Sequence, residues 1–308
     1  MDRDTHWHRD LGLRLLLALG LALSGASWVT GCGDDADDDD DGGTPDGGGE
    51  VDAGDSGRGG RGGTGGRAGT GGRGGSSEDD AGAEDAGTSM FRDVAIDMMA
   101  VTPHMNQKME FRVVSDDDEL VALGVLDPLA SANYEFTLPN STPAGAHRMD
   151  FFADLNDNGE YDAPPTDHAW REDIAASGDD TIAFMHNTDF TDIATPTLTQ
   201  AEDFTFMATD MNPHIGDLFE LRVIEADSGR LVGRYLLGQI TAASFTLTLP
   251  GIVASGTEYQ VDFYADLNGN GEYNAPMTDH AWREMGTANG SGLTITFQHN
   301  TTFTDVQF

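Results

Sequence analysis

The chain contains one segment twice: residues from about 93 to 193 recur as residues from about 203 to 306. Pro103-His104 returns as Pro213-His214, and Glu110-Phe111-Arg112-Val113-Val114 as Glu220-Leu221-Arg222-Val223-Ile224. Thr137-Leu138-Pro139 matches Thr248-Leu249-Pro250. His186-Asn187-Thr188 with Phe190-Thr191-Asp192 matches His299-Asn300-Thr301 with Phe303-Thr304-Asp305. A period of about a hundred residues is the size of a small domain, which predicts one domain per copy. The copies can also be compared with each other. They differ at most positions, with gaps near Glu119 and His147, yet Asp154–Glu172 returns almost unchanged as Asp266–Glu284. A recent duplication would have left every part equally similar. The uneven drift therefore marks a local constraint, structural or functional, on that block.

Inside each copy apolar residues recur at period two. Phe111 and Val113 pair with Leu221 and Val223; Tyr134, Phe136 and Leu138 with Phe245, Leu247 and Leu249; Met149, Phe151 and Ala153 with Val261, Phe263 and Ala265. Ile182, Phe184 and His186 match Ile295, Phe297 and His299. This is the pattern of strands with one buried face. Further strands around 91–96 and 120–126 bring the number to six or seven per copy, and no long 3.6-residue periodicity interrupts them. The expectation is an all-β chain: two tandem antiparallel β-sandwich modules, residues 90–194 and 200–308.

The N-terminal third differs in kind. Arg3, Arg9 and Arg14 precede or enter an apolar run whose densest part, Leu15 to Leu23, is too short to span a bilayer. The run ends at Val29-Thr30-Gly31-Cys32 and the chain then turns acidic, with Asp37 to Asp41 unbroken. That sequence resembles the lipobox of bacterial lipoproteins. The resemblance implies that residues 1–31 are a signal peptide and that Cys32 becomes the lipid-bearing first residue. It also implies a cell-envelope location, anchored in a bilayer at the outer membrane or cell surface. Two or more acyl chains anchor stably where one does not. Residues 32–89 hold most of the glycines outside the modules, with acidic clusters and spaced arginines (Arg58, Arg61, Arg67, Arg73), and read as a disordered linker. As a flexible coil it would hold the modules about 40 Å from the membrane.

With 54 acidic residues against 16 basic ones, the formal net charge is −38. Such a surface repels nucleic acid, excludes it as a partner, and attracts divalent cations. An envelope protein or cell-surface polymer is the kind of partner left. Cys32 is the single cysteine, so the modules have no internal disulfide.

The repeated block holds the first candidate site. Asp154, Asn156, Asn158 and Asp162 place side-chain oxygens at loop positions 1, 3, 5 and 9; Gly159 is at 6, and the Glu160 carbonyl falls at 7. Asp266, Asn268, Asn270, Glu272 and Asn274 repeat the pattern around Gly271. Ca²⁺ takes six to eight oxygens, and this spacing wraps a chain around one ion. The loop resembles the first half of EF-hand and dockerin calcium loops. It departs from them at position 12, where Pro165 or Met277 replaces the bidentate Glu. The closing carboxylate must then come from elsewhere, with Asp167 and Asp279 nearest and Asp150 and Asp262 next. Gly269 and Asn274 replace Asp157 and Asp162, which predicts weaker binding in the second copy.

Three histidines recur in each copy: His104, His168 and His186, then His214, His280 and His299. Three imidazoles make a Zn²⁺ or Cu²⁺ site with an open fourth position if the fold brings them together, although the spacing shows no H-x-x-x-H or H-x-H pattern. The alternative is that His186 and His299, which share strand parity with apolar neighbours, are core residues satisfied by hydrogen bonds. Trp170 and Trp282, beside the acidic loops, are candidates for stacking on a sugar in calcium-dependent binding, or for plugging the end of a sandwich. No nucleophile elbow, P-loop, dinucleotide fingerprint or H-E-x-x-H motif is present. The sequence thus favours an anchored lipoprotein that presents two calcium-stabilised modules as binding or structural units. A His-coordinated metal protein and calcium-dependent carbohydrate binding are the alternatives.

Overall fold

The computed structural model describes residues 90–194, 196 and 201–308. The expected signal peptide (1–31), Cys32 and the expected linker (32–89) lie outside these described residues. Repeat 1 contains β1 (Arg92–Met99), β2 (Lys108–Ser115), β3 (Leu120–Asp127), β4 (Tyr134–Thr142), β5 (His147–Asp154), β6 (His168–Ile174) and β7 (Asp180–Met185). Repeat 2 contains β8 (Ala201–Thr209), β9 (Leu218–Glu225), β10 (Leu231–Leu237), β11 (Phe245–Ala254), β12 (Glu258–Asp266), β13 (His280–Thr287) and β14 (Leu293–Gln298). Each repeat adds one 3₁₀ turn, at Thr102–His104 and Asn212–His214. The chain is all-β, as its period-two pattern predicts.

The strands form three sheets. Two are three-stranded, in the orders β4-β1-β7 and β11-β8-β14. The third has eight strands, in the order β13-β12-β9-β10-β3-β2-β5-β6, and runs through both repeats. Most neighbours are antiparallel; the first and last strands of each repeat pair in parallel, and so do β3 and β10 at the junction. Sequence reading of each copy by itself did not anticipate this junction, because equivalent edge strands have no local signal for pairing with one another.

The junction interlocks the two cores. Gly124 on β3 lies against Phe136 and Leu138 of β4, so closely that a methyl group would overlap the Phe136 ring. Gly233 on β10 lies in the same way against Leu249 and Ile252 of β11. Leu123 and Gly233 are in-register partners, as are Gly124 and Arg234. Side chains at paired positions point the same way, so the two three-stranded sheets cover opposite faces of the shared sheet. Strand β3 accordingly gives Ala122 and Leu126 to the core of repeat 1 but Leu123 and Val125 to that of repeat 2. β10 returns Leu231 and Leu236 to repeat 1.

Parallel pairing of β3 with β10 also aligns the two repeats end to end. Lys108 at the start of β2 pairs with Asp154 at the end of β5, and Ala153 with His168 at the start of β6. Leu218, Asp266, Ala265 and His280 repeat this at the matching end of β9, β12 and β13. Both acidic loops and both sets of histidines therefore sit along one end of the eight-stranded sheet. His168 and His280 stand seven strand-to-strand steps apart, roughly 30 Å.

Candidate metal centres

Each histidine owes its position to an element boundary. His104 sits in the 3₁₀ turn after β1, His168 is the first residue of β6, and His186 follows β7. The backbone fixes the last of these, since His186 N–H donates to the Met99 carbonyl (2.9 Å) and His299 N–H to that of Thr209 (3.0 Å). The fold brings all three imidazoles together in each repeat. In repeat 1 the His104 ring centre lies 5.1 Å from that of His168 and 5.0 Å from that of His186. In repeat 2 the His214 ring is 5.1 Å from His280 and 5.0 Å from His299.

The nitrogens face one another. His104 Nε2 is 3.1 Å from His186 Nε2, and His214 Nε2 is 3.1 Å from His299 Nε2 and 3.4 Å from His280 Nδ1. One ligand nitrogen from each of His214, His280 and His299 lies within 4.8 Å of the others. Zn–N bonds of about 2.0–2.1 Å at tetrahedral angles put ligand nitrogens about 3.3 Å apart. The observed spacings match that figure.

Hydrogen bonds and burial leave lone pairs for a metal. His214 Nδ1 lies 3.1 Å from Asp217 Oδ2. A carboxylate only accepts, so Nδ1 carries the proton and Nε2 turns its lone pair into the cluster. His104 Nδ1 has Gln107 Oε1 at 2.9 Å. His168 Nδ1 is buried with no hydrogen-bond partner, one of two such side-chain atoms among the described residues. Burial pushes His104, His168, His214 and His280 below the usual imidazole range, and repulsion between neighbouring imidazoles adds to it. Neutral imidazole is the form that binds metal.

Aromatic rings wall each cluster. Phe190 stacks on His168 with ring centres 4.0 Å apart, and Phe303 on His280 at 3.9 Å. Trp170 and Trp282 stand edge-on to His104 and His214, and their indole N–H groups donate to the carbonyls of Asn187 and Asn300. Both tryptophans are only 2% exposed. Of the two readings of these tryptophans, burial favours a plug at the end of the sandwich over stacking on a sugar, because a buried indole offers no face to a ligand. His186 and His299, each one residue past its strand, meet another imidazole and also the core indole of Trp170 or Trp282. Sequence reasoning missed Gln107, Asp217, Phe190 and Phe303 as members of the site. Gln107 and Asp217 do follow the Pro-His pair by three residues in both copies.

The acidic loops lie next to these clusters. In repeat 1 the side-chain amides of Asn156 and Asn158 both donate to Asp162 Oδ2, at 2.9 and 2.7 Å. In repeat 2 those of Asn268 and Asn270 both donate to Asn274 Oδ1, at 2.5 and 2.8 Å. Asp154 and Asp266 accept from loop amides, and Gly159 and Gly271 have positive φ as the sharp turn requires. Loop positions 1, 3, 5 and 9 thus gather around one region in each repeat, while Glu160 and Glu272 donate their backbone N–H groups to Asn158 and Asn270. Asp167 is fully buried and accepts from Leu155 N–H and Asp162 N–H, clamping the two ends of the loop; Asp279 does the same with Leu267 and Asn274. Asp150 and Asp262 are elsewhere, each held by two bonds from Arg171 or Arg283. Those pairs, and Glu110 and Glu220 with their arginines, have buried carboxylates.

No protein-family model matches the chain, and no curated protein matches it. Among solved structures, the fimbrial anchor protein Mfa2 from Porphyromonas gingivalis is 12% identical, with 63% of this chain and 81% of that one covered at a TM-score of 0.24. The shaft pilin spaA from Lactobacillus rhamnosus GG is 10% identical, with 68% and 98% covered at a TM-score of 0.20. Superpositions this loose assign neither function nor partner.

Proposed function

We propose that this chain is a lipid-anchored envelope protein whose two repeats each bind one transition-metal ion, Zn²⁺ or Cu²⁺, on three imidazoles. The observation that carries the reading is the convergence of three imidazoles in each repeat, with all three nitrogens at ligand spacing in His214, His280 and His299, and with His104 and His186 at that spacing beside His168 in repeat 1. Imidazole suits zinc and copper, whereas Ca²⁺ takes oxygen. Three protein ligands leave a fourth position for a water or a small ligand, the arrangement of catalytic and carrier sites alike. Anchoring rests on Val29-Thr30-Gly31-Cys32, and the acidic linker gives the modules reach from the bilayer. Metal analysis of chain purified without chelator tests the reading. Two zinc or copper ions per chain, lost in H104A/H214A, are expected; calcium alone would sink it. Loss of membrane association in C32A tests the anchor.

A second reading concerns the loops. Gathering of Asp154, Asn156, Asn158 and Asp162, and of Asp266, Asn268, Asn270 and Asn274, supports Ca²⁺ as a stabilising ion there. The loops and the histidines differ in donor chemistry, so the two readings are independent.

A further inference from the structure

We infer that the two three-histidine centres are unequal, with Asp217 making the repeat 2 centre the tighter metal site and Gln107 leaving the repeat 1 centre the weaker one. The inference rests on the metal-binding reading above and deepens it. Its first support is the partner of the buried imidazole. A carboxylate on the outer nitrogen of a metal-bound histidine fixes its tautomer and raises its basicity, whereas an amide oxygen does the first and little of the second. His214 has Asp217 at 3.1 Å and His104 has Gln107 at 2.9 Å, in otherwise matching surroundings. The carboxylate also places a negative charge beside the incoming cation, with its side chain a quarter exposed.

The second support is the geometry of the third histidine. In repeat 2, His280 Nδ1 closes to 3.4 Å from His214 Nε2, so three ligand nitrogens share one locus. In repeat 1, His168 Nδ1 has no hydrogen-bond partner at all. Repeat 2 is thus arranged for a metal before it arrives, and repeat 1 must draw His168 in. The surroundings of the two outer partners differ as well. Asp217 lines a cavity of about 360 Å³ with Gly216, Leu218, Gly238, Asp266 and Asn268. In repeat 1, Lys108 stands where repeat 2 has Leu218, and its ammonium donates to the Gly159 carbonyl.

The test is calorimetric titration of the metal-free full chain with Zn²⁺. Wild type should bind in two phases, and H214A should abolish the tighter one while H104A abolishes the weaker. D217N should weaken only the tighter phase, by about 10- to 100-fold, with the melting temperature of the metal-free chain unchanged. D217E should recover part of the loss, and Q107D should tighten the weaker phase. Two equal sites in wild type, or a D217N chain that titrates like wild type, would overturn the inequality and leave the metal reading standing. A chain that binds neither Zn²⁺ nor, in the same titration, Cu²⁺ would overturn both.

Discussion

Leu123 lies opposite Gly233 in the parallel pairing of β3 and β10, and its side chain is buried in the core of the other repeat. The two repeats are therefore not beads on a string. A sheet that alternates faces along β3 sends one set of side chains to each core, so neither core is complete without the neighbouring repeat.

Cooperativity should follow. Truncating Leu123, which is 1% exposed, to Ala should destabilise the chain by about 2–5 kcal/mol. The whole of residues 90–308 should still unfold in a single transition. Denaturant unfolding followed by tryptophan fluorescence and by circular dichroism checks this, because Trp170 and Trp282 report on different repeats. Two separated transitions, with only one moved by L123A, would refute it.

The junction also has a pH signature. Glu220 is buried on β9, where Arg234 and Arg222 both bond it; Arg234 also donates to the Thr137 carbonyl of repeat 1. Burial by itself would raise the Glu220 pKa, but the two guanidinium charges and their hydrogen bonds hold it below the usual carboxylate range. A depressed folded value means that the unfolded chain binds the proton more readily. The stability this group contributes is full above the ordinary value of 4.5 and is lost as pH falls through the lower folded value. E220Q should lower stability near neutral pH by about 3–5 kcal/mol, because it leaves buried arginines uncompensated. It should also flatten the fall in stability below pH 4.5 relative to wild type. Unfolding free energies from pH 3 to 7 check both outcomes.

Much of this fold is legible from local pattern. Phe111 and Val113 flank Arg112 at period two, as Leu221 and Val223 flank Arg222, and that alternation reports the strands directly, although β5 and β12 bury both faces, Phe152 and Tyr264 included. The pairing of β3 with β10 leaves no such trace. Gly124 and Gly233 are its nearest marks, and their need for close approach appears only once Phe136 and Ile252 are in place. The histidines were recognisable as a recurring set from their matched positions. Their convergence was not, since 82 residues separate His104 from His186 and the parallel pairing of β1 with β7 is what closes that distance. Trp170 stayed open between a sugar platform and a sandwich plug because it lies just past the acidic loop in sequence, whereas its neighbours in space are Phe151 and Phe184.

Calcium should act on the loops in graded fashion. Repeat 1 carries Asp157 and Asp162 where repeat 2 has Gly269 and Asn274, so its loop attracts a divalent cation more strongly, even with Lys108 bonded to the Gly159 carbonyl. Dissociation constants of about 10⁻⁴–10⁻³ M suit an extracellular module. Millimolar Ca²⁺ should raise the melting temperature, and D162N should remove the stronger part of that shift while D154N removes more. A chain whose melting ignores Ca²⁺ over this range would count against calcium at either loop.

The tryptophans offer a direct optical readout of the histidine centres. The Trp170 ring centre lies 5.4 Å from that of His104 and 5.8 Å from that of His186; Trp282 stands 5.7 Å from both His214 and His299. A Cu²⁺ ion held by those imidazoles would be near one indole in each repeat, and an open-shell ion quenches nearby fluorescence where closed-shell Zn²⁺ does not. Stoichiometric Cu²⁺ should therefore quench most of the emission of the described modules, and pre-loaded Zn²⁺ should block the effect. H214A and H104A should each protect one of the two indoles. Since the imidazoles must be unprotonated to bind, and burial holds His104 and His214 below the ordinary value of 6.5, quenching should persist at that pH and fade only as pH falls further. Copper that binds without quenching would place the ion away from these clusters.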